Sequence, residues 1–188
     1  MASRFRFGAR GGSGARPGRA AGLPALPLAA ALLTATVGLY ITLVAFGNIT
    51  DFDTNRQFVR HVLTMDTTFK DPDLMWRAIT SHTLQDIAYV LIIAWETVAA
   101  LILIVAVVAW AAGLRGRAGL GRARRLSTVG LLMVLLLFGA GFMAVGGEWF
   151  AMWQSKAWNG LDAAARNFVV AGLVLVLVHL PGANESAD

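Results

Sequence analysis

Apolar and polar positions run along this chain in long blocks. Four runs, about residues 25–47, 87–112, 126–146 and 162–180, are almost wholly apolar, and each is close to the ~20 residues an α-helix needs to cross a hydrocarbon core. They predict an all-α protein, a four-helix transmembrane bundle formed by one membrane domain over residues 23–182. In the first run Ala30, Thr34, Gly38 and Thr42 recur every four residues, a strip of small side chains along which another helix can approach closely. Thr36 and Tyr40 lie one turn apart on a different face, with hydroxyls for the bundle or for their own helix. Gly139, Ala140, Gly141 and Ala144 give the third run a small-residue patch near its outer end.

The polar blocks between the runs have patterns of their own. In the block from Asn48 to Gln85, Phe58, Val59, Val62, Leu63 and Met65 fall on one side of a helix that Asp53 or Thr54 would cap. Asp71-Pro72 then opens a short turn carrying Leu74, Met75, Trp76 and Ile79. Such amphipathic pieces either lie on the bilayer surface or fold over the bundle as a cap. Thr83-Leu84-Gln85-Asp86 has the spacing of a capping box ahead of the second run. The block from Gly146 to Gly160 is a short hairpin holding Trp149, Trp153 and Trp158 with Glu148, and tryptophan favours the headgroup zone.

Composition supports the membrane assignment: 57% of the 188 residues are hydrophobic and only 14% are charged. The chain has no cysteine, which excludes disulfides, iron–sulfur clusters, thiolate zinc sites and thiol redox chemistry. The formal net charge of +5 raises nucleic acid as a partner, but ten of the sixteen Lys and Arg fall in two segments that flank apolar runs. These are Arg4, Arg6, Arg10, Arg16 and Arg19 at the start, and Arg115, Arg117, Arg122, Arg124 and Arg125 between the second and third runs. By the positive-inside rule both segments are cytoplasmic, as are both termini, and the block 48–85 is a partly helical extracytoplasmic loop. Residues 1–22 read as a disordered basic tail and 183–188 as a flexible acidic one; the first apolar run is too long for a cleaved signal peptide and reads as a retained helix. The expected partners are the lipid bilayer and either another membrane protein or further copies of the chain, with no nucleic acid.

The candidate chemistry is sparse. Glu96 is the one charge inside the second run, nine residues in from Ile87, or ~14 Å deep in a ~30 Å core. A carboxylate there costs roughly 2.5–3.5 kcal/mol on insertion scales, so it must face the bundle and be paired or protonated. Arg166 lies ~8 Å below the start of the fourth run, between Glu148 at the rim and Glu96 deeper in, which makes an acid–base ladder geometrically feasible. Two readings stand side by side. In one, Arg166 snorkels to Glu148 while a protonated Glu96 bonds Tyr40 or Thr36; in the other, Glu96 titrates in a proton or cation path. His61, His82 and His179 show neither metal-ligand spacing nor matching depths for a haem. No phosphate loop, nucleophile elbow or zinc-protease motif is present, so no catalytic residue, metal site or cofactor is expected.

The stretches Gly38–Phe46, Asn48–Asp51, Gln57–Phe69, Met75–Ile79, Trp95-Glu96 and Gly146–Gly160 together resemble a bacterial family of predicted small integral membrane proteins, a domain of unknown function. The resemblance implies a four-span, multi-pass protein of the bacterial inner membrane and brings no activity, cofactor or catalytic residue. The expected function is that of a non-enzymatic accessory or interaction protein; the alternative is a small proton-coupled carrier or channel subunit using Glu96.

Overall fold

The computed structural model describes residues 25–116 and 119–180, so the basic tail expected over 1–22 and the acidic tail over 183–188 lie outside the described residues. Among the described residues five long helices follow one another, α1 (Ala25–Thr50), α2 (Phe52–Thr64), α3 (His82–Gly116), α4 (Leu120–Trp149) and α5 (Leu161–His179), with single 3-10 turns at Met75–Arg77 and Met152–Gln154. There is no strand among the described residues. Four of these helices, α1, α3, α4 and α5, are long and apolar enough to cross a membrane. They close into a ring in which α1 packs on α3, α3 on α4, α4 on α5 and α5 on α1. Ala30, Val37, Ile41, Ala99, Leu103, Leu131, Val134 and Ala171 fill its centre, while Leu39, Leu43, Leu101, Val108, Leu173 and Val176 stay exposed on the outside. An apolar outer surface around an apolar core is what a bundle solvated by lipid presents, since lipid chains are as apolar as the core.

The helices overrun the apolar runs, because backbone hydrogen bonding continues past the last apolar side chain. α1 extends to Thr50, so Asn48 is helical and buried; α3 starts at His82; and α4 starts at Leu120, taking Arg122, Arg124 and Arg125 into its first turns. The strip of small residues packs as expected at Ala30, Thr34 and Gly38, then continues through Ile41, Ala45 and Asn48 instead of Thr42, because the contact face drifts at 3.6 residues per turn. Thr36 faces outward and bonds the Leu32 carbonyl of its own helix.

From Leu136 to Trp149, α4 is π-helical, with Phe150 N–H still donating to the Val145 carbonyl five residues back. Most π-turns are single turns, and this one spans 14 residues. It holds the small-residue patch, and Gly139 and Gly147 let Phe168 and Leu161 of α5 come so close that a Cβ would lie 2.7 and 2.8 Å from them.

At one end the bundle carries a cap. α2 starts from Asp51, two or three residues earlier than an Asp53 or Thr54 cap implies; the Thr54 hydroxyl bonds the Asp51 carboxylate. Arg60 pairs bidentately with Asp86 at 3.1 and 2.9 Å, which draws Asp86 away from any capping role at the start of α3. Met65, Phe150 and Ala151 form a second core with Val62, Leu63, Met75 and Ile79, and Thr67 Oγ1 donates to Ser155 Oγ at 2.8 Å. The amphipathic loop therefore folds over the bundle and the Trp hairpin as a cap.

Toward the arginine-rich end, Trp110 Nε1 donates to Ser127 Oγ at 2.9 Å, with Thr34 Oγ1 donating to the same oxygen at 3.4 Å, all three side chains fully buried. This node joins α1, α3 and α4. Ser127→Ala is expected to cost about 1–2 kcal/mol, because it strands the Trp110 indole N–H away from water; thermal unfolding in detergent reads the loss, and an unchanged melting point would show the node contributes nothing.

Candidate functional site

Asn48 continues the buried stripe of Gly38, Ile41 and Ala45 at spacings of three and four, which aims its amide between α1 and α3. Its Nδ2 donates to Glu96 Oε2 at 2.7 Å, and its Oδ1 accepts from Asn55 Nδ2 of α2 at 2.6 Å. Asn55 thus orients Asn48 so that the N–H side meets the carboxyl. The Asn48 carbonyl accepts from the Tyr89 hydroxyl at 3.2 Å, and the Tyr89 ring lies 4.8 Å from Phe52. Glu96 is 3% exposed and Asn48 6%, so little water competes for these bonds.

Beside this network is a cavity of about 250 Å³, whose polar lining is Tyr40, Asn48, Asn55, Tyr89, Glu96 and Asn167. At about 30 Å³ each, it has room for roughly eight waters or a small polar group. Glu96 Oε1, the Asn167 amide and the Tyr40 hydroxyl have no hydrogen-bond partner among the described residues. Away from the cap, Phe138 lines the cavity and packs in the same buried apolar core as Ile41, Ala99, Ala100, Leu103 and Val134. On its other flank Tyr40 and Asn167 also line a groove of about 240 Å³ between α1 and α5, together with Thr36, Val134, Val170 and Arg166.

Of the residues singled out from the sequence, the structure joins Glu96 and Tyr40 in one cavity and leaves Arg166 and Glu148 out of it. Counting from Ile87 puts Glu96 near the midplane, but the Asn48 bond places it level with the last turn of α1, because α3 overruns α1 by several turns at the capped end. The partner of Glu96 is Asn48, not Tyr40 or Thr36. Arg166 is exposed, as is Glu148, and neither forms an ion pair among the described residues, so the ladder from Glu148 through Arg166 to Glu96 is not assembled. The direction of Arg166 around α5 turns it to the outside.

The hairpin tryptophans brace the cap. Arg77 lies 4.7 Å over the Trp149 ring and donates to the Trp149 carbonyl at 3.3 Å, while Trp76 meets Trp149 edge-on. Trp153 meets Phe69 edge-on, and Trp158 stacks on His61 at 4.4 Å. His61 in turn bonds Asp66 at 2.7 Å, His82 bonds Gln85, and His179 bonds Thr128. Among the described residues no group of three His, Asp or Glu side chains is placed to hold a metal ion.

Asn48, Asn55 and Asn167 are the site residues that sequence reasoning missed. Asn48 carries a readable signal, since it extends the small-residue stripe by one more step, and so does Asn167, an amide beside Arg166 in the fourth apolar run; Asn55 sits in polar surroundings and carries none. A family model described as predicted small integral membrane protein (DUF2165) matches residues 26–181. No curated protein and no solved structure matches the chain.

Proposed function

The chain belongs to the family of predicted small integral membrane proteins, and from that premise we propose that it is a non-enzymatic accessory protein of the bacterial inner membrane that holds a small polar ligand at Glu96 and does not conduct. The cap then faces the extracytoplasmic side, as Arg115, Arg122, Arg124 and Arg125 at the opposite end support through the positive-inside rule. One observation carries the reading: the cavity offers a free carboxyl oxygen, while the bundle interior toward the arginine-rich end is packed with buried Ile41, Ala99, Ala100, Leu103, Leu131 and Val134. A binding site needs an opening on one side; a path across the membrane needs two. The cap, braced by Arg60–Asp86 and by the hairpin aromatics, also offers a surface to a membrane partner.

The alternative, a proton-coupled carrier using Glu96, is favoured by the same buried carboxyl, since intramembrane carboxyls commonly mark proton relays. The two readings separate in proteoliposomes loaded with a pH-sensitive dye. Under an imposed potential, wild type and Glu96→Gln are expected to give the same proton flux as empty vesicles. Flux that appears with wild type and vanishes with Glu96→Gln would replace the accessory reading with the carrier.

A further inference from the structure

We propose that the α1–α5 side of the bundle binds a zwitterionic phospholipid headgroup that carries a primary ammonium, with its phosphate on Arg166 and its ammonium in the Glu96 cavity. This rests on the reading of that cavity as a ligand site and names the ligand.

Arg166 presents the first half of the argument. It is exposed on a helix face shared with exposed Val169, Val170 and Leu173, and it has no ion pair among the described residues. A cation facing hydrocarbon is costly unless it finds an anion. Arg166 stands five residues in from Leu161, or about 7.5 Å, within reach of the phosphate layer for a long side chain that snorkels. The planar guanidinium fork matches a phosphate bidentately.

Glu96 presents the second half. Its free Oε1 and the unpartnered Asn167 amide oxygen accept hydrogen bonds, so the cavity suits a group rich in N–H donors, and a negative carboxyl adds attraction for a cation. Tyr40 and Asn167 line both the cavity and the Arg166 groove, so the Glu96 carboxyl and the Arg166 guanidinium stand in adjoining spaces that share these two residues. A phosphate and an ammonium joined by a short linker satisfy both charges at once and leave the site neutral. The groove lies between α1 and α5, and exposed Leu39, Leu43 and Leu173 around it give a lipid's chains a surface to run along.

Native mass spectrometry tests this on full-length protein extracted gently from nanodiscs of mixed phosphatidylethanolamine and phosphatidylglycerol. Phosphatidylethanolamine should be retained about tenfold over phosphatidylglycerol, the worth of one charge-assisted bond. Glu96→Gln should erase that preference while still retaining a lipid, and Arg166→Gln should release both lipids, with Arg166→Lys partly restoring them. Should Glu96→Gln fail to fold, Asn167→Leu, which removes no hydrogen bond among the described residues, carries the same expectation. Equal retention of the two lipids by wild type, or a preference untouched by Glu96→Gln, would overturn the proposal. So would phosphatidylcholine, which lacks N–H donors, binding as well as phosphatidylethanolamine. Displacement of the lipid by soluble phosphoethanolamine at millimolar concentration would move the ligand from the bilayer to solution and overturn the lipid assignment. Glu96-dependent proton flux would instead sink the non-conducting reading, and lipid selectivity would remain measurable beside it.

Discussion

Asn48→Leu is expected to destabilise the protein by roughly 3 kcal/mol, the range for stripping a buried ionisable group of its partner. The substitution leaves Glu96 Oε2 without its donor and turns the Asn55 amide back to the surface. The bond itself is worth less: interhelical hydrogen bonds within membranes average about 0.6 kcal/mol in double-mutant cycles. Most of the loss is therefore the bare carboxyl. That difference gives the prediction its check, because Asn48→Leu combined with Glu96→Leu removes both partners and should be more stable than Asn48→Leu alone. Thermal unfolding of the three variants in one detergent reads the cycle. If the two losses simply add, the Asn48–Glu96 bond is incidental, and the network around Glu96 does not hold the capped end together.

The four spanning helices were legible because each announces itself by length and hydropathy, and the Trp hairpin because its aromatics stand between two apolar runs. Their ends were not, since a polar side chain at the end of an apolar run looks the same whether the backbone stops there or goes on. Asn48 therefore reads from sequence as the start of a loop, which hides the partner of Glu96 as well. Arg166 shows a different limit. A count of residues sets its position along α5 but not its side: at about 100° per residue it lies some 200° round the helix from buried Ala164, two positions earlier, so it faces outward. A hydrophobic run with bulky apolar residues on all sides hides which face is buried, and α5, where Ala164, Ala171, Val174 and Val178 are buried and Val169, Leu173 and Val176 exposed, is such a run. The π-helical register of Leu136–Trp149 left no local trace beyond its glycines, because the shift from four-residue to five-residue hydrogen bonds depends on how α4 meets α5.

Gly130→Ala should cost about 2–3 kcal/mol, although alanine is the better helix former by up to about 1 kcal/mol. A Cβ at Gly130 would lie 2.6 Å from both Cγ and Cδ2 of Leu103, which is fully buried between α1, α3 and α4. Leu103 has nowhere to retreat, since a Cβ at Gly38 of α1 would already stand 3.2 Å from the Leu103 Cβ. One leucine of α3 is thus seated between a glycine of α1 and a glycine of α4, and close helix approach there depends on both. Gly47→Ala supplies the control: no atom lies within 4 Å of its added Cβ, so the same change in α1 should be neutral or stabilising. The rescue is equally specific. Leu103→Ala alone opens a cavity and should cost about 2–5 kcal/mol, but in Gly130→Ala/Leu103→Ala the new methyl occupies part of that space, so the pair should cost clearly less than the sum. Unfolding in detergent followed by tryptophan fluorescence measures all four variants, and strict additivity, or a destabilised Gly47→Ala, would mean that glycine serves the backbone here and not the seat of Leu103.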